Sequence, residues 1–291
     1  MKTNRVITIL SVFVILLVWL TAGIGLFYTD GGSPRYFESM HGVTVQLFGD
    51  GVYANHSFVV AGVRKGTDAV MLLLSIVFLV ATTKRSLGNK VKLVHAGTLF
   101  SIMYYAVTLA FETMYNRMFL AYAALLSVTF FAFVFTMIDL FVTIRPVDEN
   151  VKHTKTAIFT MLCGCAGLVW LMDIIPATIT NVPPDFVSIY TTSPTKFLDI
   201  AIFFPSYILI GIMLLRRKMA SYIFVPLALT FVTFIAVVVI GQTISHMIYD
   251  VYIPIHQLIG YVGIFVVLGS VSLIVNIKFM FTCWPKSEIR G

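Results

Sequence analysis

Five carboxylates stand inside or at the edges of long apolar runs: Asp68, Glu112, Asp173, Asp199 and Asp250. A charge in such a setting is costly unless it is paired or used, so an ionisable residue in a membrane span is a functional hypothesis by default. Two short polar words accompany them. "ETMYN" carries Glu112, Tyr115 and Asn116, and "HMIYD" carries His246, Tyr249 and Asp250. Asp173 falls deepest within an apolar run and is the leading single residue of the set. Together the nine side chains would form a polar, electronegative site, suited to a small cationic ligand. The simpler account of Asp68 and Asp199 is helix capping, since an aspartate in a first turn satisfies free N–H groups and the helix dipole.

Other chemistries find little support. There is no H-E-x-x-H pair, and the six histidines are scattered. No phosphate loop or G-x-S-x-G elbow occurs, and no cofactor is expected. His246, Asp250 and His256 have no standard metal-ligand spacing. Cys163, Cys165 and Cys283 are read as unpaired, with Cys163-Gly164-Cys165 permitting close helix packing. No chain of acids crosses the middle of the apolar runs, which argues against a proton relay.

The elements that position these residues are set by composition. The chain has 291 residues, 59% hydrophobic and 11% charged, against about 25% charged in soluble domains. Its lipid partner is therefore the bilayer. Apolar runs near 6–28, 67–83, 91–111, 118–144, 156–179, 198–215, 221–245 and 255–278 are long enough for helices crossing a core of about 30 Å. The expected fold is an all-α membrane protein of eight transmembrane helices. Fifteen of the 20 basic residues fall on the side of the N-terminus, so both termini are expected in the cytoplasm. This asymmetry accounts for the net charge of +7 without nucleic acid. The first run follows a basic "MKTNR" but has no clean cleavage site, and is read as a retained anchor.

Three word pairs suggest an internal duplication. "LVWLTAGI" at Leu17 matches "LVWLMDII" at Leu168, "KGTD" ending at Asp68 matches "KFLD" ending at Asp199, and "ETMYN" matches "HMIYD". Residues 1–150 and 151–291 would then be two parallel four-helix repeats. The long outer loop, 29–66, alternates on both sides of Gly49-Asp50-Gly51, which favours a β-hairpin there. The second outer loop, "TNVPPDFVSIYTTSPTKF", is broken by prolines and read as irregular. Asp139 is expected to pair with Arg145 or another base, and His95 to lie at the membrane interface.

In "VQLFGDGVYANHSFVVAGVRKGTDAVMLL" and "YNRMFLAYAALLSVTFFAF" the chain resembles a group of bacterial integral membrane proteins with no established activity. The shared features are a G-x-G-x-Y loop, a G-T-D helix start and a Tyr-Asn turn. The resemblance implies a multi-pass protein of the bacterial cytoplasmic membrane and transfers no catalytic residue.

The leading expectation is non-enzymatic: a transporter or ligand-binding membrane protein with an outward-facing site. One alternative is a scaffold, sensor or subunit held by a membrane protein partner, with every polar group a cap or packing bond. Another is an intramembrane enzyme acting on a lipid-like substrate, which needs two titratable groups within hydrogen-bond reach.

Overall fold

The apolar runs become helices because a backbone in lipid must satisfy its own hydrogen bonds. The structure, a computed structural model, describes residues 2–40, 42–145, 151–184, 186–255 and 258–285. His256 lies outside the described residues. Among the described residues, eight helical spans are long and apolar enough to cross a membrane, so the protein is an all-α, multi-pass membrane protein. Four are continuous: α1 (Lys2–Phe27), α2 (Phe58–Thr83), α3 (Asn89–Glu112) and α4 (Phe119–Thr143). Span five joins α5 (Thr154–Cys165) to α6 (Leu171–Thr180) through a 3-10 turn at Ala166–Trp170. Span six joins α7 (Pro194–Leu198) to α8 (Phe204–Leu215) through a π-helical turn, Asp199–Phe203. Span seven is α9 (Met219–Ile248), and span eight is a π-turn, Leu258–Gly263, running into α10 (Ile264–Cys283). Phe13, Leu16, Leu73, Ile76, Phe130 and Phe131 face outward, exposed, as a lipid-facing surface requires.

The second span differs from its sequence boundary. α2 begins at Phe58, where the Ser57 Oγ caps the helix by accepting from the Val60 N–H at 3.3 Å. Arg64, Lys65 and Asp68 are therefore inside the helix and buried, not at its mouth. The charges looked like an edge only because their partners lie on other helices.

The hairpin is present but displaced. Strands β1 (Arg35–Glu38) and β2 (Thr44–Leu47) pair antiparallel, Arg35 opposite Leu47 and Glu38 opposite Thr44. The turn lies between them rather than at Gly49-Asp50-Gly51. Gly49 and Gly51, at φ of 84° and 63°, instead bend the chain back beneath the end of α1. The Asp50 carboxylate accepts from the Thr29 hydroxyl at 2.7 Å and from the Asp30 N–H at 2.9 Å. These bonds, Thr29 foremost, hold its pKa down at about 2.

α1 packs against α2 and α4, and α3 against α4, around a core that includes Val18, Phe78, Ile102 and Leu125. α9 is the central strut of the remainder, meeting α2, α3 and α10. Its approach to α2 depends on glycines: a Cβ on Gly66 would lie 2.5 Å from the Gly241 carbonyl oxygen, and one on Gly62 2.5 Å from the His246 ring. Such small-residue contacts are how apolar helices associate in lipid. α5 and α8 pack chiefly on one another, while α5 has little contact with α10. α8 meets α9 where the Tyr207 hydroxyl donates to the Ala228 carbonyl at 2.9 Å, and a gap opens between the α5/α8 pair and α9/α10 towards the hairpin end.

At the end away from the hairpin, Asp139 pairs with Arg85 at 2.7 Å and Lys92 at 3.3 Å. Arg145 turns instead to backbone carbonyls. His95 is fully buried, not interfacial: its Nε2 meets the Ser11 hydroxyl at 3.1 Å and its ring stacks on Phe78. All three cysteines are free, and a Cβ on Gly164 would sit 2.6 Å from the Tyr207 Cβ, consistent with close packing there.

Candidate functional site

The gap beside α9 is a cavity of about 770 Å³, within the range of drug-sized ligand sites. It sits towards the hairpin end. α2, α3, both broken spans, α9 and the start of span eight wall it, and the segment 186–193 roofs it. Among the described residues, four charged ones line it: Arg64, Glu112, Lys196 and Asp199. Away from them the wall is apolar, with Phe203 stacked on Phe231 at a centroid distance of 4.8 Å and Val238 and Leu268 beside them.

Glu112 ends α3 and is saturated with donors. It pairs with Arg64 at 3.0 Å and accepts from the Thr195 hydroxyl at 2.7 Å, the Ser193 hydroxyl at 3.2 Å and the Thr195 N–H at 3.3 Å. Arg64 also donates to the Thr108 hydroxyl at 3.1 Å. The pair therefore clasps the roof and the start of span six to α3. A second clasp is His56 with Tyr190. The Met114 N–H donates to the His56 Nε2 at 3.1 Å, so the neutral ring carries its proton on Nδ1 and donates it to the Tyr190 oxygen at 2.7 Å.

Asp199 opens the π-turn of span six. It accepts from the Trp170 indole at 2.9 Å and from the Tyr104 hydroxyl at 3.2 Å. The wide turn is what brings the carboxylate to face span five, where Gly167 leaves room: a Cβ there would lie 3.0 Å from the Asp199 carbonyl oxygen. Lys196, one turn earlier, sets its ammonium 3.8 Å from the Phe186 ring centroid and 4.7 Å from that of Trp170. On the far wall the Gln242 amide donates to the Thr67 hydroxyl at 2.9 Å, and the His246 Nε2 donates to the Val59 carbonyl at 2.8 Å.

The nine residues singled out from sequence do not converge. Glu112, Asp199 and His246 line the cavity. Asp68 is sealed next to it, with no exposed surface, and accepts from Tyr105 at 2.6 Å and Tyr53 at 2.7 Å. Neither Asp68 nor Asp199 caps a helix; each is a hub between elements. Tyr115 and Asn116 border a separate apolar cleft of about 630 Å³ between α3 and α4. There Asn116 braces its own turn, accepting from the Met118 N–H at 2.8 Å. Tyr249 packs on Phe48 at 5.3 Å and lies over the Lys65 ammonium. Asp250 has a left-handed φ of 52° and ends α9, with the Val251 N–H returning to the His246 carbonyl at 2.9 Å. Asp173 is exposed on α6 rather than the deepest of the set.

Sequence reading missed Arg64, Lys196, Trp170, Tyr104 and the His56–Tyr190 clasp. With Arg64 and Lys196 in the wall, the described residues of the site set two bases against two acids. One signal was available: Arg64, Lys65 and Asp68 stand within a single turn between a capping serine and a basic stop.

The His56 clasp has a pH signature. Burial, aided by the Arg64 charge, pushes its pKa down to about 3 from the ordinary 6.5. The unfolded chain takes up a proton near pH 6.5 while the folded protein does not. Stability is therefore full above about pH 6.5 and is lost progressively as pH falls towards 3. Thermal unfolding in lipid nanodiscs between pH 7.5 and 4.5 should show this decline, and His56→Asn should flatten it. An unchanged slope in the variant would assign the decline to other groups.

Comparison with protein-family models, with curated proteins and with solved structures returns no match.

Proposed function

We propose that this protein is a ligand-binding membrane protein, of transporter type, that accommodates an amphipathic small molecule in the cavity beside α9. One observation carries the reading: a single cavity of about 770 Å³ has charged groups at one end and aromatic and aliphatic walls along the rest. Sites for small molecules are mostly apolar with a few convergent polar groups, as here. The basic-residue asymmetry supports placing both termini in the cytoplasm, with the cavity in the opposite half of the bilayer. The clasped roof of residues 186–193 then separates the site from the outer aqueous phase. Spans five, six and eight, the least buried in the bundle, face lipid around it.

The test is a cavity-filling variant. Val239→Trp places an indole into the space from α9. Wild-type protein in phosphatidylcholine nanodiscs should gain thermal stability from at least one member of a panel of single-chain amphiphiles, by about 2.7 kcal/mol at a hundredfold excess over Kd. The variant should gain none. A panel that leaves the wild type unmoved, or moves both proteins equally, counts against the reading.

A further inference from the structure

The cavity's hydrogen-bonding groups are unevenly used, and this identifies the head group of its ligand. Glu112 is fully committed and Asp199 half so. Glu112 takes four hydrogen bonds from Arg64, Ser193 and Thr195, and Asp199 takes two from Trp170 and Tyr104. A cationic ligand would find every lone pair of Glu112 taken, and at Asp199 only those that Trp170 and Tyr104 leave. The donors are in the opposite condition. The Lys196 ammonium has three N–H groups, yet among the described residues it has no hydrogen bond and no carboxylate oxygen within 4.0 Å. Its immediate neighbours are the faces of Trp170 and Phe186, which attract a cation but accept no strong hydrogen bond. On the same cavity wall the Arg64 Nε is buried with no acceptor. The buried Arg64 Nε is costly until an acceptor arrives, and the half-buried Lys196 ammonium has its hydrogen bonds to offer.

Resting on the amphiphile reading above, we infer that the ligand is a single-chain amphiphile with an anionic head, a carboxylate or a phosphate, bound at Lys196 with its tail along Phe203, Phe231, Val238 and Leu268. A charge-assisted bond from an ammonium to an oxyanion is about twice as strong as a neutral one, and stronger still away from water. Trp170 and Phe186 hold the ammonium in place, so little side-chain ordering remains to oppose binding. Trp170 also bonds Asp199, which ties the cage around Lys196 to the π-turn of span six.

The experiment uses the full chain in phosphatidylcholine nanodiscs and four probes with one hexadecyl chain bearing a mid-chain diazirine: the carboxylic acid, the monoalkyl phosphate, the alcohol and the amine. After photolysis, labelled peptides are mapped by mass spectrometry. The acid or the phosphate should label cavity-lining peptides of α8, α9 and α10 about tenfold more than the alcohol, in keeping with one charge-assisted bond. Lys196→Met should remove that preference and Lys196→Arg keep it. Whichever anion labels more strongly separates a free alkyl carboxylate from a lipid phosphate, and either supports the inference. Equal labelling by acid, phosphate, alcohol and amine, or preference for the amine, overturns the anionic head while leaving the amphiphile reading in place. An anion preference that survives Lys196→Met overturns the role of Lys196. Labelling of the cavity by none of the four overturns the amphiphile reading itself. The head-group comparison needs no variant, so misfolding of Lys196→Met would not rescue the proposal.

Discussion

Glu112→Ala is expected to lower the unfolding free energy by about 3–5 kcal/mol, the cost of leaving one member of a buried ion pair alone. The partner side chains are 5% and 20% exposed, so water cannot replace the lost carboxylate at Arg64. The same change removes the acceptor that Ser193 and Thr195 share, so the roof should loosen as well as the fold weaken. Two measurements separate these effects. Steric trapping in bicelles reads global stability, and hydrogen exchange reads protection of residues 186–195. Arg64→Met with Glu112→Leu should recover most of the stability, because a buried pair can be exchanged for apolar packing. It should not recover the protection, because no acceptor is restored. If the single change costs under about 1 kcal/mol and leaves exchange unaltered, Glu112 is not the clasp.

Asp68→Ala should be the second large loss, about 4 kcal/mol, from two orphaned hydroxyls at roughly 1–3 kcal/mol each. Hydrogen bonds between membrane helices average only about 0.6 kcal/mol, because unpaired groups find new partners in the looser state. The higher figure applies because Asp68, Tyr53 and Tyr105 are sealed, at 0%, 0% and 2% exposure. Gly25→Ala tests the same hub by another route. Its Cβ would stand 2.1 Å from the Asp68 Oδ2 and 2.7 Å from the Tyr53 hydroxyl, so the carboxylate must move off its donors. Both variants should show lowered thermal midpoints, with Gly25→Ala the milder. A neutral Gly25→Ala would mean that the hub can rearrange at little cost.

The spans were legible because lipid imposes length and apolarity directly on the chain. What the charged residues do was not. Arg64, Lys65 and Lys196 weigh in the sequence only as votes on orientation, since a lysine near a span end ordinarily reaches water. In the structure Lys65 is buried and its ammonium meets the Gly25 and Leu26 carbonyls at 3.4 and 3.3 Å, at the negative end of α1. Arg64 completes Glu112, and Lys196 stands in an aromatic cage. Those roles depend on which helices are neighbours, a matter that packing decides and spacing does not record. The hairpin shows the same limit: alternation marked an extended stretch in the right loop, but the glycines that seemed to turn it serve another bend. The aspartates were found for a sound reason, their cost in lipid, and misassigned because their donors come from remote positions. Tyr53 lies 15 residues from Asp68, and Tyr104 lies 95 from Asp199.

One consequence follows from the order of two residues on α3. Tyr104 holds the aspartate of the cavity, and Tyr105, next in the chain, holds the sealed aspartate of α2. Consecutive side chains leave a helix about 100° apart. α3 therefore cannot turn about its own axis without carrying both phenols together, one along its aspartate's face and the other along its counterpart's. The helix is thereby pinned at one level to two carboxylates, and a rotation that kept one of these bonds would have to keep both.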